Sequence, residues 1–417
     1  MIIPRPYYLN QLIAAKGNSL IKVVSGIRRC GKSFLLNELF RRHLNSEDVP
    51  NDHIINIALD DLENEEFRNP LKLLRHIKSA MRDDAQYYVL LDEVQMVDRF
   101  PELLNSLLHI PNLDTYVTGS NSRFLSKDIV TEFRGRSDEI HMYPLSFAEY
   151  YSAMGGDKSD RWREYYSYGG FPQVLALDGA DKKRSYLSNL ARTVFLADVI
   201  ERNRVRNRAE FSELLEIVAS SIGVPVNPTK LSNTFKNVKK VSISHKTIAN
   251  YLTYFQDAFL IEKAMRYNVK GKKYINSLSK FYFTDTGLRN ALTGFRQIEE
   301  THLMENVIYN ELRIRGYSVD VGIVEQKVTT PDGKTERKQF EIDFVADKDS
   351  RRLYIQSALY IPDEAKMIQE TASLSRIDDS FTKIVIVKDN IEPWTDSRGI
   401  HFVGLFDFLL NSEVLIF

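Results

Sequence analysis

The chain has 417 residues, 43% hydrophobic and 27% charged, enough material for two or three packed domains. Lysine plus arginine and aspartate plus glutamate both number 56, which excludes a uniformly basic nucleic-acid binder and makes any basic surface local. One cysteine, Cys30, excludes a disulfide framework within the chain and argues against a cysteine-based zinc site.

Met1 to Leu12 carries prolines, tyrosines and polar residues where a signal peptide needs an apolar run. No stretch approaches the roughly 20 apolar residues of a membrane span. The expectation is a soluble, cytoplasmic chain with no membrane partner.

Ile21 to Ser25 reads as a short strand ending in a glycine turn, and Phe34 to His43 as a helix with Phe34, Leu35, Leu36, Leu39 and Phe40 on one side. Strands follow at Asp52 to Leu59, Tyr87 to Leu91 and Thr115 to Thr118. Helices lie between them, at Leu71 to Met81 and around Glu102 to Leu108. Strands alternating with helices, several nearly continuous in apolar residues, imply a mostly parallel sheet covered on both faces. Residues 151 to about 280 read mainly as helices, such as Lys182 to Arg202 and Glu210 to Ser220. From Thr301 a helix and strands at Gln339 to Ala346, Leu353 to Tyr360 and Lys383 to Val387 suggest a small α/β domain. The pattern divides the chain at 1–150, 151–295 and 296–417, with Gly155-Gly156 and Thr293-Gly294 punctuating the joints.

Between the first strand and helix, Gly26-Ile27-Arg28-Arg29-Cys30-Gly31-Lys32-Ser33 matches G-x-x-x-x-G-K-[ST]. Glycines let backbone N–H groups curl around phosphates, and the helix beginning near Phe34 adds its positive dipole end. Lys32 is expected to reach the β- and γ-phosphates, and the Ser33 hydroxyl to ligate Mg²⁺. The strand Tyr87 to Leu91 ends in Asp92-Glu93. Asp92 is expected to hold the Mg²⁺ shell opposite Ser33, and Glu93 to polarise the attacking water. Without an N-K-x-D base-reading motif, ATP is the better nucleotide than GTP. Asn121 or Ser120, after the next strand, is a candidate for sensing the γ-phosphate. Arg136, and secondarily Arg134, is a candidate for neutralising charge on the transferred phosphoryl, in a neighbouring subunit of a homo-oligomer. Cys30 reads as a small residue at a variable loop position.

Residues 201–280 hold fifteen basic against six acidic side chains, an excess of nine in a neutral protein. Thr229 to Asn237 is a candidate helix. Ser244 caps another through Ile248, Leu252 and Phe255. Phe259 to Ile261 and Tyr274 to Phe283 look like strands around Lys270-Gly271-Lys272-Lys273. This is a winged-helix layout, whose partner is expected to be DNA, duplex or branched, met by Lys246, Lys270, Lys272 and Lys273.

In the last domain Glu305 lies on a helix, Asp343 on a strand and Gln356 on the next. A helix acid, a strand aspartate and a (D/E/Q)-x-K strand are how restriction-endonuclease-like folds hold a divalent metal. Here the third motif is Gln356-Ser357-Ala358, with alanine at the lysine position. Lys338 or Lys366 could replace that lysine only from elsewhere. The reading is a degenerate, non-cleaving fold, with an ATP-regulated nuclease as an alternative.

The P-loop, Leu91-Asp92-Glu93-Val94-Gln95, Thr118-Gly119-Ser120-Asn121-Ser122, Gly135-Arg136 with Pro144-Leu145-Ser146-Phe147, Tyr168-Gly169-Gly170-Phe171-Pro172 and Glu341-Ile342-Asp343-Phe344 to Gln356 together resemble one family. It is the bacterial and archaeal AAA-like P-loop ATPases with a C-terminal domain of unknown function. The resemblance implies an α/β fold: an AAA-like parallel sheet, a helical and winged-helix module, and a small restriction-endonuclease-like domain. It carries over Lys32, Ser33, Asp92, Glu93, Asn121 and Arg136 as an ATPase site. The family reading leaves open an ATPase acting on DNA or a nucleotide-gated switch for protein partners.

Overall fold

The computed structural model describes residues 2–119, 135–238, 240–329 and 335–415. They divide into two compact units, one running through Leu145 with Asp257–Phe259, the other comprising Ser146–Gln256 and Leu260 onward.

The first unit opens on helix α1 (Pro6–Ala14) and strand β1 (Ile21–Gly26). Helix α2 (32–46) follows, wound as a π-helix from Leu35 to Phe40. Then come β2 (Ile54–Ala58), α3 (Pro70–Ala80), β3 (Tyr87–Asp92), α4 (Phe100–Leu107), β4 (Leu113–Thr118) and β5 (Ser137–Met142). The strands form one sheet in the order β2-β3-β4-β1-β5, with every pairing parallel. Both faces are covered, as the apolar strands required. Ile21, Val23, Val89, Leu91 and Val117 pack with Leu73 and Ile77 of α3 and Leu103, Leu104 and Leu107 of α4. On α2, Leu35, Leu36 and Phe40 are buried, and the Phe40 and Tyr116 rings lie 4.4 Å apart. One ion pair is buried between β1 and β4 of this sheet. Lys22 of β1 pairs with Asp114 of β4, whose other oxygen accepts from Tyr116 Oη at 2.9 Å and Gly17 N at 3.0 Å. A buried ion needs such full satisfaction to be tolerated.

The second unit begins with α5 (Phe147–Met154), α6 (Lys158–Tyr168), α7 (180–202), α8 (Arg208–Ser220), α9 (Pro228–Val238) and α10 (His245–Asp257). It continues with β6 (Ile261–Asn268), β7 (Lys273–Phe283), α11 (Thr286–Leu292), α12 (Glu300–Ile314), β8 (Ser318–Thr329), β9 (Thr335–Lys348) and β10 (Arg351–Ala358). α13 (Glu364–Thr371), β11 (Thr382–Val387), β12 (Trp394–Thr395), β13 (Ile400–Gly404) and α14 (Leu405–Leu410) complete it. Among the described residues its sheet has eight strands, ordered β12-β13-β11-β10-β9-β8-β6-β7.

The helices α9 and α10 are followed in the chain by the hairpin β6–β7, and Ser244 Oγ accepts from Thr247 N at 3.0 Å as the cap of α10. The hairpin, however, does not stand apart from the final domain. β6 pairs in parallel with β8 from Arg266↔Val321 to Asn268↔Ile323, so one sheet runs across the joint near residue 295. Every second or third residue of β6 is buried, a face that needs a neighbour; periodicity reports the face but not which strand covers it.

The Tyr168-Gly169-Gly170 segment crosses the start of α11 at close range. The buried Asp285 carboxylate caps α11 by accepting Leu288 N at 2.8 Å, and its other oxygen accepts Gly170 N at 2.7 Å. A Cβ on Gly169 would lie 2.2 Å from that carboxylate, and one on Gly287 2.1 Å from the Tyr168 carbonyl. These glycines are therefore dictated by packing.

Candidate nucleotide-binding site

The P-loop follows β1 and wraps onto the first turn of α2. Gly26 has φ 138°, and a Cβ there would lie 2.1 Å from the Met142 carbonyl of β5, so the first glycine is forced by the neighbouring strand. Gly31 (φ 105°) and Arg29 (φ 66°) also lie at positive φ, which curls the loop. Lys32 is buried and its Nζ donates to the carbonyls of Gly26 and Ile27, both at 3.0 Å. Arg28, Arg29, Ser33 and Phe34 are exposed, whereas Ile27 is buried.

Cys30 is completely buried, with its Sγ 3.5 Å from the Met142 carbonyl. It packs the loop onto β5, more constrained than a variable position would be. The back of the loop is held by Arg5, which sequence reading missed. Its guanidinium is buried and donates to the carbonyls of Cys30 (3.1 Å), Tyr143 (2.8 Å) and Pro144 (3.4 Å). No local motif marks Arg5; only the fold brings residues 5, 30 and 143 together.

Asp92 ends β3 beside this loop. Its carboxylate receives hydrogen bonds from the hydroxyls of Ser33 and Thr118. Burial pushes its pKa up, the two hydroxyls oppose that, and Glu93 and Asp60 reinforce it. A buried carboxylate next to a serine hydroxyl is a hard oxygen donor pair that fits Mg²⁺. Glu93 adopts φ 53°, its N–H donates to Thr118 Oγ1 at 2.9 Å, and its carboxylate accepts from Gln95 Nε2. Thr118 thus joins the end of β4 to Asp92 at the end of β3 and to Glu93, which follows it.

Asn121, Ser120 and Arg134 lie outside the described residues. Arg136 is exposed and donates to Asn105 Oδ1 of α4 at 3.1 Å. It precedes Ser137, the register partner of Ile21, whereas the P-loop leaves the other end of β1 at Gly26. The two ends of β1 are several steps of about 3.3 Å apart. Arg136 is therefore not brought to the P-loop of its own chain.

The second unit does assemble Glu305, Asp343 and Gln356 in one polar cluster. Gln356 Nε2 and Ser357 N both donate to Asp343 Oδ2 at 2.8 Å. Glu305 Oε1 accepts from Tyr282 Oη at 2.6 Å and from Lys280 Nζ at 2.9 Å, and Lys280 also pairs with Glu341 at 2.8 Å. Burial pushes the Asp343 carboxyl up to about 8, with Glu305 adding to the shift and Lys280 opposing it. Burial would lower the Lys280 pKa, but Glu305, Asp343 and Glu341 outweigh it and the pKa is raised. Ala358 is buried in the apolar core. Lys366 pairs with Glu370 on α13, and Lys338 lies over the Phe340 ring. The cluster's lysine is Lys280, from a strand that motif reading placed in another module. Among the described residues no group of three or more His, Cys, Asp or Glu side chains is gathered to hold a metal ion.

Of the basic residues, Lys246 on α10 and Lys270, Lys272 and Lys273 at the β6–β7 turn are exposed, and Lys270 lies 3.6 Å from Asp378. Among the described residues no helix is long and apolar enough to cross a membrane.

The chain matches the family model of an AAA domain over residues 18–151 and that of a domain of unknown function over 159–299. It is 34% identical over 416 residues to an uncharacterised protein of Haemophilus influenzae, covering 98% of this chain and 99% of that one. The chain belongs to the AAA-like P-loop ATPase family. An uncharacterised relative from Methanocaldococcus jannaschii is 28% identical over 410 residues, covering 93% of this chain and 87% of that protein. The family member is also similar to the solved Walker-type ATPase of Pyrococcus abyssi, at 17% identity and a TM-score of 0.49, covering 70% of this chain and 96% of that one.

Proposed function

We propose that this chain binds ATP with Mg²⁺ and hydrolyses it, working as a homo-oligomer that couples turnover to DNA binding or remodelling. The observation that carries the reading is the junction of Ser33, Asp92 and Glu93 at the ends of two neighbouring elements. Ser33 and Asp92 would hold Mg²⁺. When bound, the ion supplies positive charge that offsets charge on the phosphate oxygens. Lys32 exchanges its two carbonyl acceptors for phosphate oxygens. Glu93 accepts the proton of the attacking water as that oxygen bonds to the γ-phosphorus and the bond to the β-phosphate oxygen breaks. Arg136, remote from its own P-loop, is offered to the nucleotide of a neighbouring subunit, and Asn121 is kept as the candidate γ-phosphate sensor.

The DNA half of the proposal is supported by the excess of nine basic residues over 201–280 and by the polar exposed face of α10, which presents His245, Lys246, Asn250 and Thr253. The test is the ATPase rate with and without duplex, single-stranded and four-way junction DNA, with the subunit number determined in each state. Stimulation by at least one form is expected. A rate indifferent to all of them overturns the DNA half. Indifference combined with nucleotide-dependent binding of a protein partner favours the switch reading.

A further inference from the structure

A restriction-endonuclease-like centre draws carboxylates from a helix and two strands around a divalent cation. In this chain the helix carboxylate of that centre, Glu305, pairs with a cation of the protein's own, whose charge also acts on Asp343. Lys280, on β7, has a side chain only 2% exposed, and its Nζ bridges Glu305 at 2.9 Å and Glu341 at 2.8 Å. Several other acceptors of the centre already take protein donors. Glu305 Oε1 takes a second bond from Tyr282 Oη. Its Oε2 faces Gly223, where a Cβ would stand 3.1 Å away. Asp343 Oδ2 is held twice, by Gln356 Nε2 and the Ser357 N–H, and Gln356 Oε1 accepts from Ser373 Oγ at 3.4 Å. The residues do not fit a metal ion. Gln356 is a neutral ligand at best, Ala358 cannot supply a lysine, Glu305 is already paired with Lys280, and Asp343 Oδ2 is taken up by two N–H donors.

We infer that Lys280 is the built-in replacement for the divalent metal of this centre, which makes the domain a metal-independent element and not a nuclease. A buried ammonium costs heavily unless carboxylates surround it, and carboxylates brought together cost as heavily unless a cation separates them. Lys280 satisfies both demands at once. Its cross-strand neighbour is Ala264, so the small side chain beside it leaves the lysine's path clear. The inference uses no property of the P-loop, so its failure would leave the ATPase reading intact.

The test uses full-length protein carrying Ser33→Ala and Asp92→Asn, which removes the nucleotide-linked ion, titrated with Mn²⁺ alone and read by the electron paramagnetic resonance signal of the free ion. The protein with Lys280 in place is expected to show no binding that Glu305→Gln removes. Lys280→Met is expected to gain Mn²⁺ binding, lost again on adding Asp343→Asn. Glu305-dependent binding with Lys280 present would overturn the inference. So would Lys280→Met that folds yet gains none, or Mn²⁺-dependent nicking of plasmid DNA by otherwise unaltered protein that Asp343→Asn abolishes. Should Lys280→Met fail to accumulate, the titration with Lys280 present and the nicking assay decide.

Discussion

Thr118, at the end of β4, donates its hydroxyl hydrogen to Asp92 at the end of β3 and accepts the Glu93 N–H at 2.9 Å. One side chain thereby orients the proposed metal ligand and pins the backbone that aims the proposed base. Outer partners of a metal ligand are worth about 10- to 100-fold in metal affinity. Thr118→Val, which keeps the shape and removes the hydroxyl, is expected to weaken Mg²⁺-dependent ATP turnover by roughly that factor. Turnover measured against Mg²⁺ concentration checks this, and an unchanged Mg²⁺ dependence would contradict it.

The Lys22–Asp114 pair places two charges inside the first unit, with the lysine side chain fully buried. Removing one partner strands the other, a loss of about 3–5 kcal/mol for buried pairs. Lys22→Met is expected to lower stability by that order in urea unfolding. Lys22→Met combined with Asp114→Asn should recover part of the loss, because the stranded charge goes too. A single variant as stable as the unaltered protein would refute the account of this pair.

Asp285 gives a pH signature. Burial pushes its carboxyl up to about 6, against hydrogen bonds from the N–H groups of Gly170, Leu288 and Gly287 that hold it down. The folded chain therefore holds this proton more tightly than the unfolded chain, whose aspartate has its ordinary value of 3.8. The resulting stability is fully present below about 4 and is lost as pH rises through about 6, with an upper size of about 3 kcal/mol. The stability of the unaltered protein minus that of Asp285→Asn should fall across this window. A difference that rises with pH would show that the three N–H donors win over burial.

How much of this was legible in the sequence follows the range of each interaction. The P-loop and Asp92-Glu93 were readable because strand, turn and helix are consecutive, and their chemistry is written in adjacent residues. The helices α9 and α10 followed from capping and apolar spacing. Thr118, Arg5 and Lys280 were not found. Each acts on residues distant in sequence, through strand order or loop crossing that periodicity does not encode. The β6–β7 hairpin was recognised as a hairpin but assigned to the middle module, because its two strands pair locally while the β6–β8 ladder that binds it to the last sheet spans more than 50 residues.

Lys272 and Lys273 lie at the exposed β6–β7 turn. If they meet phosphates, Lys272→Glu with Lys273→Glu should weaken duplex binding and reduce the slope of log affinity against log salt by roughly one for each phosphate no longer neutralised. A salt titration of DNA affinity checks it. Equal slopes for both proteins would place the DNA-binding surface elsewhere.

The central claim is that the Ser33–Asp92–Glu93 junction turns over ATP. The direct measurement is phosphate release from Mg²⁺-ATP by the unaltered chain and by Glu93→Gln, with ATP binding measured on both. The account predicts turnover by the first, a loss of about 10²- to 10⁴-fold in the second, and binding retained by both. Turnover that survives Glu93→Gln unchanged, or ATP bound but never hydrolysed by the unaltered chain, would contradict it.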